Sequence, residues 1–176
     1  MLVKTIIAGF GGQGVLSIGL SLTQAAMLEG RYVTYLPSYG AEVRGGTANC
    51  TVAISDEEIA SPIASTPEFV IAMNQPSLMR FQNQIQSGGV LFLNSSLAQA
   101  EISRGDLEVV QVPADTIAEK LGNRKSANMV MLGAFIKKGN LVSLDSVFEG
   151  LKETLKGKQK LMAINKEALT VGYNLF

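Results

Sequence analysis

The sequence predicts an α/β fold, specifically a Rossmann-like three-layer αβα sandwich built on a mostly parallel sheet. Short runs rich in Val, Ile and Leu alternate along the chain with longer helical patterns, which is typical of layered α/β domains. The first run, residues 2–8, is almost continuously apolar, as expected of a strand that is buried on both faces. Glycines stand between this strand and the helical pattern that follows it.

Glycine, proline and polar residues set the predicted element boundaries. Pro37 is expected to stop the second strand, since proline lacks an N–H for the ladder. Gly30 suits the position after a helix, and Ser126 and Ser143 are expected N-caps. The predicted strands are residues 2–8, 31–36, 47–55, 68–73, 90–93 and 107–112, and the predicted helices are 15–29, 75–86, 114–121, 127–138, 144–156 and 160–171. No repeat or linker divides the chain, so one domain over residues 1–176 is expected.

Composition excludes several classes of function. Lys and Arg number 15 against 15 Asp and Glu, so the net charge is zero, and binding of nucleic acid is not expected. The chain has no His and one Cys, Cys50, which removes His-dependent triads, His-ligated metals, internal disulfides and self-contained iron–sulfur clusters. Cys50 is expected to be a small buried residue. No apolar stretch is long enough to span a membrane, so we expect a cytoplasmic protein. Only 17% of residues are charged, which suggests that another protein covers part of the surface.

A glycine loop lies between the first strand and the first helix. Residues 9–14 read GFGGQG, which satisfies the G-x-G-x-x-G pattern in its required strand–helix context. Such a loop lets an anion approach the backbone and the N-terminus of the following helix; tight packing alone is the other interpretation. A nicotinamide cofactor is disfavoured because no carboxylate ends the second strand. The lysine of an ATP-binding loop is also missing.

A second loop follows the second strand and is expected at the same edge of the sheet. Within it, Arg44 lies next to Gly45 and Gly46 and could bind an anion, with Glu42 orienting it. A surface ion pair is the alternative. Polar residues that follow later strands could approach the same crevice, although a role as helix caps or turn residues is at least as well supported; they are Asn74, Gln75, Asn94 and Ser95.

The two loops together resemble the gamma subunits of 2-oxoacid:ferredoxin oxidoreductases. The matching segments are GFGGQGV at 9–15, SYGAEVRGGTANC at 38–50, ISDEEI at 54–59, SANM at 126–129 and LGA at 132–134. The 2-oxoglutarate and branched 2-ketoacid types are most similar. Residues 39–44 depart from the Pro-Glu-Arg-Arg-Gly-like run of the pyruvate type, which lowers pyruvate as the expected substrate.

The resemblance implies one subunit of an enzyme that decarboxylates a 2-oxoacid, passes electrons to ferredoxin and transfers the acyl group to coenzyme A. Thiamine diphosphate, Mg and [4Fe–4S] clusters are then expected on alpha, beta and delta-type partners. The chain is expected to contact coenzyme A without holding any cofactor tightly or acting alone. The candidate contacts are Gly9, Gly11, Gly12, Gln13, Gly14, Ser38, Tyr39, Glu42, Arg44, Gly45, Gly46 and Asn74.

Three alternatives stay open at this point. The chain could be the beta subunit of an indolepyruvate oxidoreductase, a stand-alone NAD(P)-linked oxidoreductase, or a scaffold whose glycine loop binds nothing. Self-association of the isolated chain also stays open. No residue is expected to be catalytic or to bind a metal.

Overall fold

The computed structural model describes residues 1–39, 46–99, 102–155 and 157–176. Over these ranges the chain forms one six-stranded sheet with the order β2-β3-β1-β4-β5-β6. β1, β4, β5 and β6 are parallel neighbours, and β3 runs antiparallel to both β1 and β2. Five strands therefore point one way and β3 points the other. The strands are β1 Leu2–Phe10, β2 Tyr32–Tyr39, β3 Thr47–Ser55, β4 Phe69–Ala72, β5 Val90–Asn94 and β6 Glu108–Val112.

Helices cover both faces of the sheet, because alternate strand residues point to opposite sides. Ile7 and Phe92 pack in one hydrophobic core with α1, α4, α5 and α6, whereas Ile6 and Leu91 pack in the other with α2. The predicted three-layer αβα sandwich with a mostly parallel sheet is confirmed. The helices are α1 Val15–Leu28, α2 Gln75–Phe81, α3 Ala114–Lys120, α4 Ala127–Gly139, α5 Leu144–Thr154 and α6 Gln159–Tyr173, with 3-10 turns at Gln82–Gln84 and Arg124–Ser126.

Three predicted boundaries are wrong in detail. β2 continues through Pro37, which lies opposite Cys50 in the register with β3. α2 ends at Phe81 and gives way to a 3-10 turn, so the predicted helix over 75–86 is too long. Ser126 occupies the N-cap position of α4, but its hydroxyl donates to the carbonyl of Asn123 at 2.7 Å and does not cap the helix. Ser143 caps α5 as expected.

The carboxyl ends of the parallel strands bring distant segments together. The glycine loop follows β1, Asn74 follows β4, and Asn94 ends β5. β2 ends at the same edge, since Tyr39 lies opposite Ala48, which in turn lies opposite Gly9. In open α/β sheets this edge is where ligands bind.

Candidate functional site at the carboxyl edge of the sheet

The glycine loop has a conformation that requires glycine at two positions. Gly12 has φ 99° and Gly14 has φ 72°, both in the left-handed region that side chains rarely adopt. Gly14 is the N-cap of α1, and within the described part of the chain no side chain caps this helix. Gly9 is needed for close packing, because a Cβ there would lie 2.7 Å from Cγ1 of Val15. The loop therefore turns the chain tightly and leaves the N-terminus of α1 open.

Of the backbone N–H groups of residues 11–14, two are hydrogen-bonded to backbone carbonyls and two are not. Gly11 donates to the carbonyl of Gly46 at 2.9 Å, and Gln13 donates to the carbonyl of Phe10 at 3.1 Å. Within the described ranges the N–H groups of Gly12 and Gly14 have no such partner. The first N–H groups of any helix also lack a partner inside the helix. The donors that remain for a ligand are therefore those of Gly12, Gly14 and the first turn of α1.

The side chain of Gln13 braces the loop from within. Its Oε1 accepts hydrogen bonds from the N–H of Phe10 and from Nδ2 of Asn74, both at 2.7 Å, and its Nε2 donates to the carbonyl of Met73 at 3.2 Å. Asn74 is buried, and its Oδ1 accepts from the N–H of Ser77 to cap α2. The side chains of Gln13 and Asn74 thus hold the loop in place, and a ligand would meet the backbone.

A buried hydrogen-bonded chain continues from Met73 toward α3. Asn94, which is fully buried, donates from Nδ2 to the carbonyl of Met73 at 3.2 Å and to Oδ2 of Asp115 at 2.7 Å. Its Oδ1 accepts from the N–H of Ala114 at 3.2 Å and so supports the start of α3. Oδ1 of Asp115 in turn accepts from Nε of Arg124 at 3.3 Å. Gln13 of the glycine loop is thereby linked to Arg124, a basic residue 111 positions later in the sequence.

Two clefts flank the glycine loop, and Gly12 lines both. The first is about 360 Å³ and has one wall formed by Asp115, Arg124 and Lys125. The second is about 220 Å³ and lies against Phe10, the first residues of α1 and Ala48. The first cleft is lined by two cations, Arg124 and Lys125, and the second by the N-terminal residues of α1. Both arrangements suit a ligand that carries negative charge.

Sequence reasoning missed Asp115, Arg124 and Lys125. The available signal was the basic pair at 124–125, placed in a turn directly before a long helix. That turn reaches the site because α4 follows it and packs Asn128 against the glycine loop: a Cβ on Gly14 would lie 2.8 Å from Cγ of Asn128. Such proximity depends on the fold and is invisible in the spacing of residues.

The second loop is partly outside the described residues. Ser38 and Tyr39 end β2, and Gly46 is tied to the glycine loop through the hydrogen bond from Gly11. Glu42, Arg44 and Gly45 lie outside the described ranges, so their predicted contact with an anion stays a prediction. Ser38 is exposed at the end of its strand.

Cys50 is fully buried in β3, as expected, and its thiol donates to the carbonyl of Val15 at 3.7 Å. Burial raises the pKa of the thiol to about 12, so the thiolate that reacts or binds metal is not formed near neutral pH. Among the described residues no group of three His, Cys, Asp or Glu is placed to hold a metal ion. None of the helices in these ranges is long and apolar enough to cross a membrane.

Comparison with known proteins places this architecture in a family. The model of the pyruvate ferredoxin/flavodoxin oxidoreductase family matches residues 4–175. The chain belongs to this family. It is 45% identical to ketoisovalerate oxidoreductase subunit VorA of Methanothermobacter thermautotrophicus over 97% of its own length and 35% of the relative's. It is 36% identical to 2-oxoglutarate synthase subunit KorC of Methanothermobacter marburgensis, covering 85% of this chain and 84% of that subunit.

The family's solved structures share the fold. The 2-oxoglutarate:ferredoxin oxidoreductase of Magnetococcus marinus, determined with 2-oxoglutarate, coenzyme A and succinyl-CoA bound, matches with a TM-score of 0.89 and 25% identity. The match covers 97% of this chain and 30% of that one. The chain thus spans about a third of the length of that protein and of the VorA subunits. The gamma subunit from Geobacter sulfurreducens matches with a TM-score of 0.82 at 24% identity, covering 97% and 96% of the two chains.

Proposed function

We propose that the chain is the gamma subunit of a multi-subunit 2-oxoacid:ferredoxin oxidoreductase. The complex would oxidatively decarboxylate 2-oxoglutarate or a branched 2-ketoacid to the acyl-CoA and pass the electrons to ferredoxin. The observation that carries this proposal is the family match over residues 4–175. The names of the similar subunits, VorA and KorC, support the two substrate types.

The single cysteine of this chain does not fit an iron–sulfur cluster. A [4Fe–4S] cluster needs several thiolates, and the one cysteine, Cys50, is buried with a raised pKa. Mg at the diphosphate of thiamine needs oxygen ligands, and among the described residues no group of three His, Cys, Asp or Glu is placed to hold a metal ion. We therefore assign these cofactors and Mg to alpha, beta and delta-type partners, in a complex that works in the cytoplasm without membrane or nucleic acid.

The glycine loop fits a phosphate group of coenzyme A. The N–H groups of Gly12, Gly14 and the first turn of α1 would donate to phosphate oxygens, and the helix dipole favours the negative charge. Gly12 is exposed, and a Cβ there would meet nothing within 4 Å, so a ligand can approach its backbone. Ser38, Tyr39, Glu42, Arg44, Gly45 and Gly46 would approach the same cleft from the second loop. When bound, coenzyme A supplies the thiol that accepts the acyl group; this chain supplies binding and orientation.

The proposal is tested by anaerobic affinity purification of the tagged chain from its own host. The eluate is assayed for coenzyme A-dependent reduction of a viologen dye with 2-oxoglutarate, 2-oxoisovalerate and pyruvate. We expect co-elution of cysteine-rich and thiamine-binding chains, with 2-oxoglutarate or 2-oxoisovalerate giving the highest kcat/KM. Elution of the chain alone, with no activity on any oxoacid, would contradict the proposal.

A further inference from the structure

The larger cleft beside the glycine loop has a basic wall that the proposed phosphate site does not use. Arg124 and Lys125 line this cleft together with Gly12 and Gln13. They come from the 3-10 turn Arg124–Ser126, which connects α3 to α4. Asp115 is the one carboxylate in the same lining, and Glu119 lies beside Arg124 without lining the cleft. An anion in the cleft would therefore meet the guanidinium and the ammonium directly, with Glu119 offsetting part of their charge.

Among the residues that the structure describes, Arg124 is paired through its Nε alone. Its Nε lies 3.3 Å from Oδ1 of Asp115 and 3.5 Å from Oε1 of Glu119. A guanidinium carries five N–H donors in a planar fork, and the side chain is 62% exposed. The terminal nitrogens thus remain accessible, and paired N–H donors of this kind match the geometry of phosphate oxygens.

Asp115 is a rigid anchor for Arg124. Its side chain is only 14% exposed, and its second oxygen accepts a hydrogen bond from the fully buried Asn94 at 2.7 Å. Asn94 is itself fixed by the carbonyl of Met73 and the N–H of Ala114. An arginine that is held in this way loses less conformational entropy when it binds a ligand than a freely rotating one.

We propose that Arg124 contacts a phosphate group of coenzyme A in the cleft that it lines together with Gly12, and that Asp115 is the positioning residue that holds Arg124 there. This inference rests on the proposed function. It makes the site two-sided: one anionic group lies at the N-terminus of α1, and a second lies against Arg124 across Gly12. The preferred ligand is one that carries separated phosphate groups, as coenzyme A does.

The first test uses the purified complex with Arg124→Gln. We expect the KM for coenzyme A to rise on the order of tenfold, because a charge-assisted contact to phosphate is lost. The KM for the 2-oxoacid and the kcat at saturating coenzyme A stay unchanged, and Arg124→Lys restores part of the affinity. Lys138→Gln is the matched control. Lys138 pairs with Glu108 at the amino end of β6, away from the glycine loop at the carboxyl ends of the strands. This variant removes one positive charge and should leave every kinetic constant unchanged.

The second test asks whether Asp115 acts through Arg124. With Arg124 present, Asp115→Asn should raise the KM for coenzyme A about threefold, because Arg124 loses its charged anchor. With Arg124→Gln already in place, the same change should not raise the KM further, since only a negative charge near the anion is removed. An equal rise in both backgrounds would overturn the positioning role.

The outcome also separates this inference from the proposed function. If Gly12→Ala raises the KM for coenzyme A and Arg124→Gln does not, the role of Arg124 is overturned while the glycine loop keeps its role. If neither variant changes that KM, the assignment of coenzyme A to this edge fails as well. A rise in both, without change in the KM for the 2-oxoacid, supports both.

Discussion

Two separate constraints, backbone conformation and close packing, require glycine at position 14. Its φ of 72° disfavours any side chain, and a Cβ there would lie 2.8 Å from Cγ of Asn128 in α4. The G-x-G-x-x-G spacing predicts the first constraint, since the turn into the helix needs glycine. The second arises from contact with a residue 114 positions away, which no spacing reveals. Likewise, the pattern predicts Gln13 at the site but not the inward orientation of its side chain.

We predict that Gly14→Ala lowers the free energy of unfolding by more than about 2 kcal/mol, because backbone strain and a clash with Asn128 add together. Gly30→Ala is the matched control: Gly30 has φ 74°, and a Cβ there would meet nothing within 4 Å, so strain alone should cost about 1 kcal/mol. Urea denaturation of the two variants measures both values. Equal losses would mean that α4 does not press on the glycine loop.

Cys50 makes stability depend on pH above the neutral range. Burial raises the pKa of its thiol from 9.0 to about 12, so above pH 9 the unfolded thiol ionises while the folded one stays protonated. The contribution of this protonated thiol to the free energy of unfolding is therefore fully present below pH 9 and is lost progressively between pH 9 and 12. At pH 10 the loss from this group should be about 1 kcal/mol. Comparing the pH dependence of unfolding in wild type and Cys50→Ala isolates it; identical slopes between pH 8 and 10.5 would contradict the prediction.

At the scale of elements, the sequence predicts the order and type of every strand and α-helix, and the errors lie at their ends. Pro37 was expected to stop β2, yet the strand continues to Tyr39. The physical reason is position: within the described ranges β2 is the first strand in the sheet order and pairs with β3 alone, and an edge strand tolerates a residue without an N–H. Whether a strand lies at an edge is a property of the topology, which a local pattern does not contain.

α4 and α6 cross at two glycines, of which Gly133 lies in the LGA segment at 132–134 and Gly172 lies in no motif. A Cβ on Gly133 would lie 2.7 Å from the N–H nitrogen of Tyr173, and a Cβ on Gly172 would lie 2.7 Å from the carbonyl carbon of Val130. The backbones of the two helices therefore touch directly, and an added methyl group would have to push them apart. This crossing holds α6 against α4, the helix that follows the turn carrying Arg124.

We predict that Gly133→Ala and Gly172→Ala each destabilise the protein by about 3 kcal/mol, since the neighbours in both cases are rigid backbone atoms. Gly139, at the end of α4, is the control within the same helix. A Cβ there would meet the ring of Phe135 at an ordinary 3.5 Å, so Gly139→Ala should be neutral or slightly stabilising. Thermal unfolding of the three variants and the wild type measures these differences as shifts in melting temperature. Unchanged melting temperatures for Gly133→Ala and Gly172→Ala would show that the helices do not approach this closely.

At the scale of the whole molecule, zero net charge, the absence of His and a buried lone Cys together describe a chain poor in groups for chemistry. Composition alone predicts this lack of reactive groups. The resemblance accounts for it, because it implies an enzyme whose reaction is divided among several subunits. What composition does not predict is the assembly of one edge from five segments: the glycine loop, the end of β2, Asn74, Asn94 and the Arg124–Ser126 turn. That edge is the part of the surface to which we assign coenzyme A.

The most direct test of this assignment is a cryo-EM map of the assembled complex with coenzyme A bound. A phosphate group of coenzyme A should lie within about 3 Å of the N–H of Gly12, Gly14 or the first turn of α1, which is the ordinary hydrogen-bond distance. Density for every phosphate group on other subunits, with the glycine loop facing solvent or packed only against protein, would contradict it.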